Sequence, residues 1–183
     1  MSQLKAGRRK ITILAVDDDP NDRLLIERSL RKVAPDATIH LLEGGDQAIA
    51  YLMGEGKFAD RSAFAYPTFI ITDLKMPGAD GFAVLEHIKG NPAWAVIPTV
   101  VLSSSADPDD VRTAYLLGAS SYQQKPADLN SLTAQMKTLH DYWMNCLVPE
   151  VDISGKQVYT NPQGRIGKRF PQPTADEQSR VEH

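Results

Sequence analysis

Five polar residues stand at the ends of apolar runs of strand length. Asp17 and Asp18 follow residues 11–16, Asp73 follows 68–72, Ser103 closes 97–103, and Lys125 follows 120–124. In an open parallel sheet the functional crevice lies beyond the C-terminal ends of the strands, so all five converge on one mouth. Three carboxylates at short range raise one another's pKa, and a divalent cation removes the conflict. An all-oxygen set with few protein ligands suits Mg²⁺, which keeps part of its water shell and accepts a phosphate oxygen. The chemistry favoured there is phosphoryl transfer, in which a metal, an ammonium and a hydroxyl offset charge on the transferring group. Mg²⁺, Lys125 and Ser103 would fill those parts. An aspartate can serve as nucleophile and form an acyl phosphate, and Asp73, at the centre of the sheet, is the natural one.

The elements that must hold these residues are legible as five strand-then-helix units. Strand-length runs at 11–16, 38–42, 68–72, 97–103 and 120–124 are each followed by helical spacing. Three of the runs are almost continuously apolar, as strands covered on both faces are. The expected fold class is α/β, a five-stranded parallel sheet, doubly wound. Asp19 before Pro20, Asp107 before Pro108, and Asp128 read as helix N-caps. Asp22, Asp109 and Asp110 read as first-turn acids that suit the helix dipole. The stripe Leu129, Leu132, Met136, Leu139 and Trp143 reads as the core face of the last helix.

Residues 54–66, carrying Phe58, Phe64 and Tyr66, form a long connection outside the compact plan. Periodicity stops after Pro149. The expected organisation is therefore an N-terminal lead at 1–10, one domain at 11–149, and a C-terminal arm or flexible tail at 150–183.

Composition narrows the function. The 183 residues are 42% hydrophobic, enough for one well-cored domain. A net charge of −3 gives no global basic field for nucleic acid or an anionic membrane, so neither is expected as a partner. The single cysteine, Cys146, fits a reducing compartment. The basic first ten residues have no apolar run behind them of signal-peptide length, and the expectation is a cytoplasmic protein.

From about residue 10 to residue 149 the chain resembles the receiver domains of two-component response regulators. The matching pieces are Asp17-Asp18 after an apolar strand, the run from Asp73 through Leu74-Lys75-Met76-Pro77-Gly78 to Asp80-Gly81-Phe82, then Ser103, Tyr122 and Lys125-Pro126. Singly these are weak signals; together they are specific. The resemblance implies a flavodoxin-like fold and phosphorylation of Asp73 by a sensor histidine kinase. It implies Mg²⁺ bound by Asp18 and Asp73 directly, by Asp17 through water, and by the backbone carbonyl of Lys75. It also implies that the Lys75 side chain, two residues past the nucleophile, occupies a position that tends to tune phosphoryl lifetime. Ser103 would follow the phosphoryl group inward, Tyr122 would change rotamer or packing with it, and Lys125-Pro126 would be a cis peptide. The protein would not be an enzyme in the metabolic sense, though it catalyses its own phosphotransfer and dephosphorylation.

A narrower resemblance, to single-domain regulators that partner bacterial phytochromes, rests on the long 54–66 connection, the missing output domain and the long last helix ending in His140-Asp141-Tyr142-Trp143. Haloacid-dehalogenase-like phosphatases also use an aspartyl phosphate, but they need a second acid two residues after the nucleophile, where this chain has Lys75. Asp17 does have Asp19 in that place, but Asn21 follows where Thr or Val is required. No Gly-rich turn follows the first strand, which disfavours a dinucleotide site. The serious rival is a degenerate receiver that binds partners without turning over phosphate. Output is expected through protein contact and a two-fold homodimer, built on the last helix where Tyr142, Cys146 and Leu147 extend past the core stripe and embraced by the tail.

Overall fold

A computed structural model of the chain describes residues 11–158. The expected lead at 1–10 and the tail from 159 onward lie outside them. The chain runs β1 (Thr12–Val16), α1 (Pro20–Val33), β2 (Thr38–Leu42), α2 (Gly45–Met53), β3 (Phe69–Thr72), α3 (Gly81–Gly90), β4 (Thr99–Ser103), α4 (Pro108–Leu116), β5 (Ser121–Gln124), α5 (Leu129–Asn145), β6 (Glu150–Val151) and β7 (Gln157–Val158). The first five strands form one parallel sheet in the order β2-β1-β3-β4-β5. The order reverses between β1 and β3, the switch point where such sheets open a crevice.

Alternation along the central strands builds two cores. Ile13, Ala15, Phe69, Ile71, Val100 and Leu102 face α1 and α5, meeting Ile26, Leu30, Leu132, Met136 and Leu139. Leu14, Val16 and Ile70 face the opposite way, onto Ala48, Tyr51, Leu52, Val84 and Ile88 of α2 and α3. Burial of this kind contributes about 2 kcal/mol for each large apolar side chain removed from water. A smaller cluster of Leu74, Leu85, Val101 and Ala114 seats α4.

Cap chemistry sets the helix starts. The side chains of Asp19, Asp80, Asp107 and Asp128 each accept a backbone N–H at the start of α1, α3, α4 and α5 respectively. At the other end of α2 the chain turns through Gly54 at φ +73°, a left-handed conformation that favours glycine.

Residues 54–66 are part of the packed body, contrary to the sequence expectation. A 3₁₀ turn at Gly56–Phe58 buries Phe58, whose ring lies 5.2 Å from those of both Tyr51 and Phe64. The Tyr51 hydroxyl donates to the Ala65 carbonyl at 2.6 Å. Arg61 closes the connection by donating to the carbonyls of Tyr51, Leu52 and Phe64, and its guanidinium lies 4.3 Å from the Tyr66 ring centre. Arg61→Ala leaves carbonyls at the α2 terminus without these donors, so we expect a loss of about 2–3 kcal/mol in urea unfolding.

The arm expected from residue 150 begins with ordered structure. β6 and β7 pair antiparallel, with Glu150 opposite Val158 and Val151 opposite Gln157. Asp152 accepts from the Ser154 and Lys156 backbones to fix the turn. Val151 packs on the core cluster that contains Trp94, Gly155 lies against the Tyr66 ring, and the Gln157 side chain donates to the Pro92 carbonyl at 2.6 Å. The loops it covers precede β3 and β4, so the hairpin lies at the end of the sheet opposite the crevice.

Candidate functional site

Three of the site residues hang just past their strands on ladder-type backbone bonds. The amide of Asp17 donates to the Leu42 carbonyl, that of Asp73 to the Val16 carbonyl, and that of Lys125 to the Ser103 carbonyl. Strand geometry, not loop chance, therefore brings these side chains together. One ligand oxygen from each of Asp17, Asp18 and Asp73 lies within 4.8 Å of the others. Asp17 is 1% exposed and Asp73 is 7% exposed, whereas Asp18 is open to solvent.

Lys125 supplies the counter-charge. Its ammonium lies 2.7 Å from Asp17 Oδ2, 2.8 Å from Asp22 Oδ2 and 3.0 Å from Asp73 Oδ2. Burial alone would lower the pKa of this amine, but its bonds to Asp17, Asp22 and Asp73 outweigh that and raise it. Burial likewise pushes the Asp17 carboxyl up, with Lys125 and the Asp19 amide opposing. The second oxygen of Asp73 accepts the Leu74 amide at 2.6 Å. The Lys125–Pro126 bond is trans, correcting the expected cis peptide: no peptide bond among the described residues is cis. An X-Pro bond prefers trans by only about 0.5–1 kcal/mol, and here the ammonium reaches all three acids from the trans form.

Two acids read from sequence as first-turn acids make side-chain contacts elsewhere. Asp22, in the first turn of α1, is the third carboxylate on Lys125. Asp110, in the first turn of α4, binds the Lys75 ammonium at 2.9 Å and accepts from the Ser105 hydroxyl at 2.7 Å. First-turn position was the only sequence signal for either, and it serves the dipole whatever the side chain later meets. Arg23 was also missed. Its guanidinium donates to the backbone carbonyls of Asp17 and Asp18 at 2.7 and 2.9 Å and pins the turn that carries both acids.

The remaining expected residues form a neighbouring chain of contacts. Ser103 is fully buried at the end of β4, and its hydroxyl oxygen accepts a long 3.4 Å bond from the Ser105 amide. Tyr122 on β5 is half-buried against the Leu74, Leu85 and Val101 cluster, and its hydroxyl donates to the Ser105 carbonyl at 2.9 Å. Lys75, Asp110, Ser105 and Tyr122 thus link the loop after β3 to the loop after β4 and on to β5.

Close packing fixes the loop that follows the central acid. The Gly81 amide donates to the Leu74 carbonyl, and a Cβ at Gly81 would stand 2.3 Å from the Asp73 carbonyl oxygen. Gly81→Ala must push that backbone away, at about 1–3 kcal/mol in thermal unfolding, and the displaced acid should weaken any divalent-cation binding at the three acids in a calorimetric titration.

The donor set fits a hard divalent cation: three carboxylates close together, one exposed to admit water, and no sulfur or imidazole among them.

Comparison with known proteins agrees with this geometry. Residues 13–137 match the family model of the response regulator receiver domain. Response regulator Rcp1 from Synechocystis sp. is 33% identical over 132 residues, covering 72% of this chain and 88% of its own length. Two-component response regulator ARR17 from Arabidopsis thaliana is 31% identical, covering 79% of this chain and 92% of its own. Among solved structures, the phosphorylated cyanobacterial phytochrome response regulator RcpA superposes with a TM-score of 0.72 at 32% identity, over 78% of this chain and all of that one. The Mn²⁺-bound form of Rcp1 gives 0.69 at 31%, over 76% and 99%. With its sheet order, its crevice at the switch point and its three clustered acids, this chain belongs to the response regulator receiver family.

Proposed function

We propose that Asp73 accepts a phosphoryl group from a sensor histidine kinase and that the protein signals by changing its surface. The observation that carries this reading is the placing of Asp73 within 4.8 Å of Asp17 and Asp18 with the Lys125 ammonium 3.0 Å away. A carboxylate oxygen of Asp73 attacks phosphorus, and the bond from phosphorus to the donor breaks. The donor leaves with that electron pair, and no proton need leave Asp73, whose partner Lys125 carries the positive charge. When bound, Mg²⁺ would be held by Asp18, Asp73, Asp17 through water and the Lys75 carbonyl, and would offset charge on the phosphoryl oxygens. Lys125 stabilises the same oxygens, and Ser103 turns its weakly held hydroxyl toward them. Tyr122 then exchanges its bond to the Ser105 carbonyl for deeper packing.

The similarity to RcpA and Rcp1 supports a phytochrome-type kinase as the donor. No helix among the described residues is long and apolar enough to cross a membrane, which is compatible with the cytoplasmic reading. The exposed Tyr142 and Leu147 at the end of α5 support a two-fold homodimer there, and light scattering would return a monomer mass if that surface does not pair.

Incubation with acetyl phosphate and Mg²⁺, followed by intact-mass and peptide mapping, tests the acceptor. An adduct on Asp73 that forms only with the cation is the expected result. Absence of a cation-dependent adduct on the native chain would hand the case to a binding module that never turns over phosphate.

A further inference from the structure

An ammonium has three N–H donors, and that of Lys125 faces three carboxylates, of Asp17, Asp22 and Asp73. Two of these belong to the three-acid cluster that fits a cation; Asp22 does not. It reaches Lys125 from the first turn of α1, where its own amide is held by the Asp19 cap. Its side chain is 39% exposed, so its charge is partly hydrated yet close enough to hold the amine.

We propose that Asp22 is a positioning residue that competes with the phosphoryl group for the Lys125 ammonium and so restrains phosphorylation of Asp73. This rests on Asp73 being the acceptor. As the Asp73 oxygen bonds to phosphorus and the donor bond breaks, Asp73 gives up its full negative charge and its claim on the amine. Asp17, within the cation cluster, would be engaged through water by a bound metal. Asp22 keeps both its charge and its contact. The ammonium is then divided between Asp22 and the phosphoryl oxygens, and less of its charge is available where negative charge collects. The anchor on α1 keeps Lys125 in place, at a cost in rate.

Asp22→Asn keeps the size and an acceptor oxygen and removes the charge. Acyl-phosphate formation from acetyl phosphate at saturating Mg²⁺ should rise about two- to fivefold, the range set by one partly exposed ion pair. The effect must pass through Lys125, so in a Lys125→Met background, or Lys125→Gln if the first does not fold by circular dichroism, the same substitution should change the rate less than about twofold. A native chain that labels on Asp73 while Asp22→Asn is no faster overturns the proposal. Equal acceleration with and without Lys125 overturns it too, because a charge effect without the amine needs no positioning. A native chain that does not label on Asp73 removes the acceptor assignment itself, a different failure read in the first tube.

Discussion

Asp73→Asn should lose at least about a hundredfold of its acyl-phosphate formation, whether the donor is acetyl phosphate or a kinase, while the fold stands. The amide keeps the shape of the carboxylate and can still accept the Leu74 amide, which the native side chain does at 2.6 Å. It cannot act as an oxygen nucleophile toward phosphorus. Lys125 retains Asp17 and Asp22 as partners, so urea unfolding should shift by no more than about 1 kcal/mol. Intact-mass spectrometry and a denaturation curve on one preparation read both quantities. Full-rate labelling of the variant would place the phosphoryl group elsewhere.

Lys125→Met should have the largest effect on stability, and one that a cation reverses. Its ammonium side chain is 13% exposed and neighbours Asp17, whose side chain is 1% exposed. Removing the amine strands a buried carboxylate beside Asp73, at a cost of about 3–5 kcal/mol without metal. A bound cation supplies the missing positive charge, so Mg²⁺ should raise the melting temperature of the variant far more than that of the native chain. Labelling should still fall steeply, because the metal does not replace an ammonium on the phosphoryl oxygens. Equal Mg²⁺ stabilisation of both proteins in a thermal melt would show that the amine is not the resting counter-charge.

How much of this could be seen in the sequence follows from the range of the forces involved. Strands 11–16 and 97–103 were legible because burial on both faces leaves a continuous apolar run, and Asp19, Asp107 and Asp128 because a cap is a local device next to its own helix. Asp17, Asp18, Asp73, Ser103 and Lys125 were legible as candidates because a parallel sheet sends every strand end to one side. Asp22 was not, since its partner is over a hundred residues away in sequence, and a first-turn acid already has a sufficient local reason to be there. Asp110 escaped because a first-turn acid again has a sufficient local reason, and its partner Lys75 is 35 residues away. The 54–66 connection packs through Arg61, whose acceptors are backbone carbonyls and leave no mark on sequence. The hairpin after Pro149 has strands of two residues, too short to show a period.

The contacts from Lys75 through Asp110 and Ser105 to Tyr122 differ in one respect from those around Lys125. The Lys75 side chain is 58% exposed, against 13% for Lys125. Dissolved ions reach the first pair freely, and in 1 M salt the screening length shrinks to about 3 Å. Ionic strength therefore becomes a dial that loosens the loop after β4 while leaving the acid pocket paired.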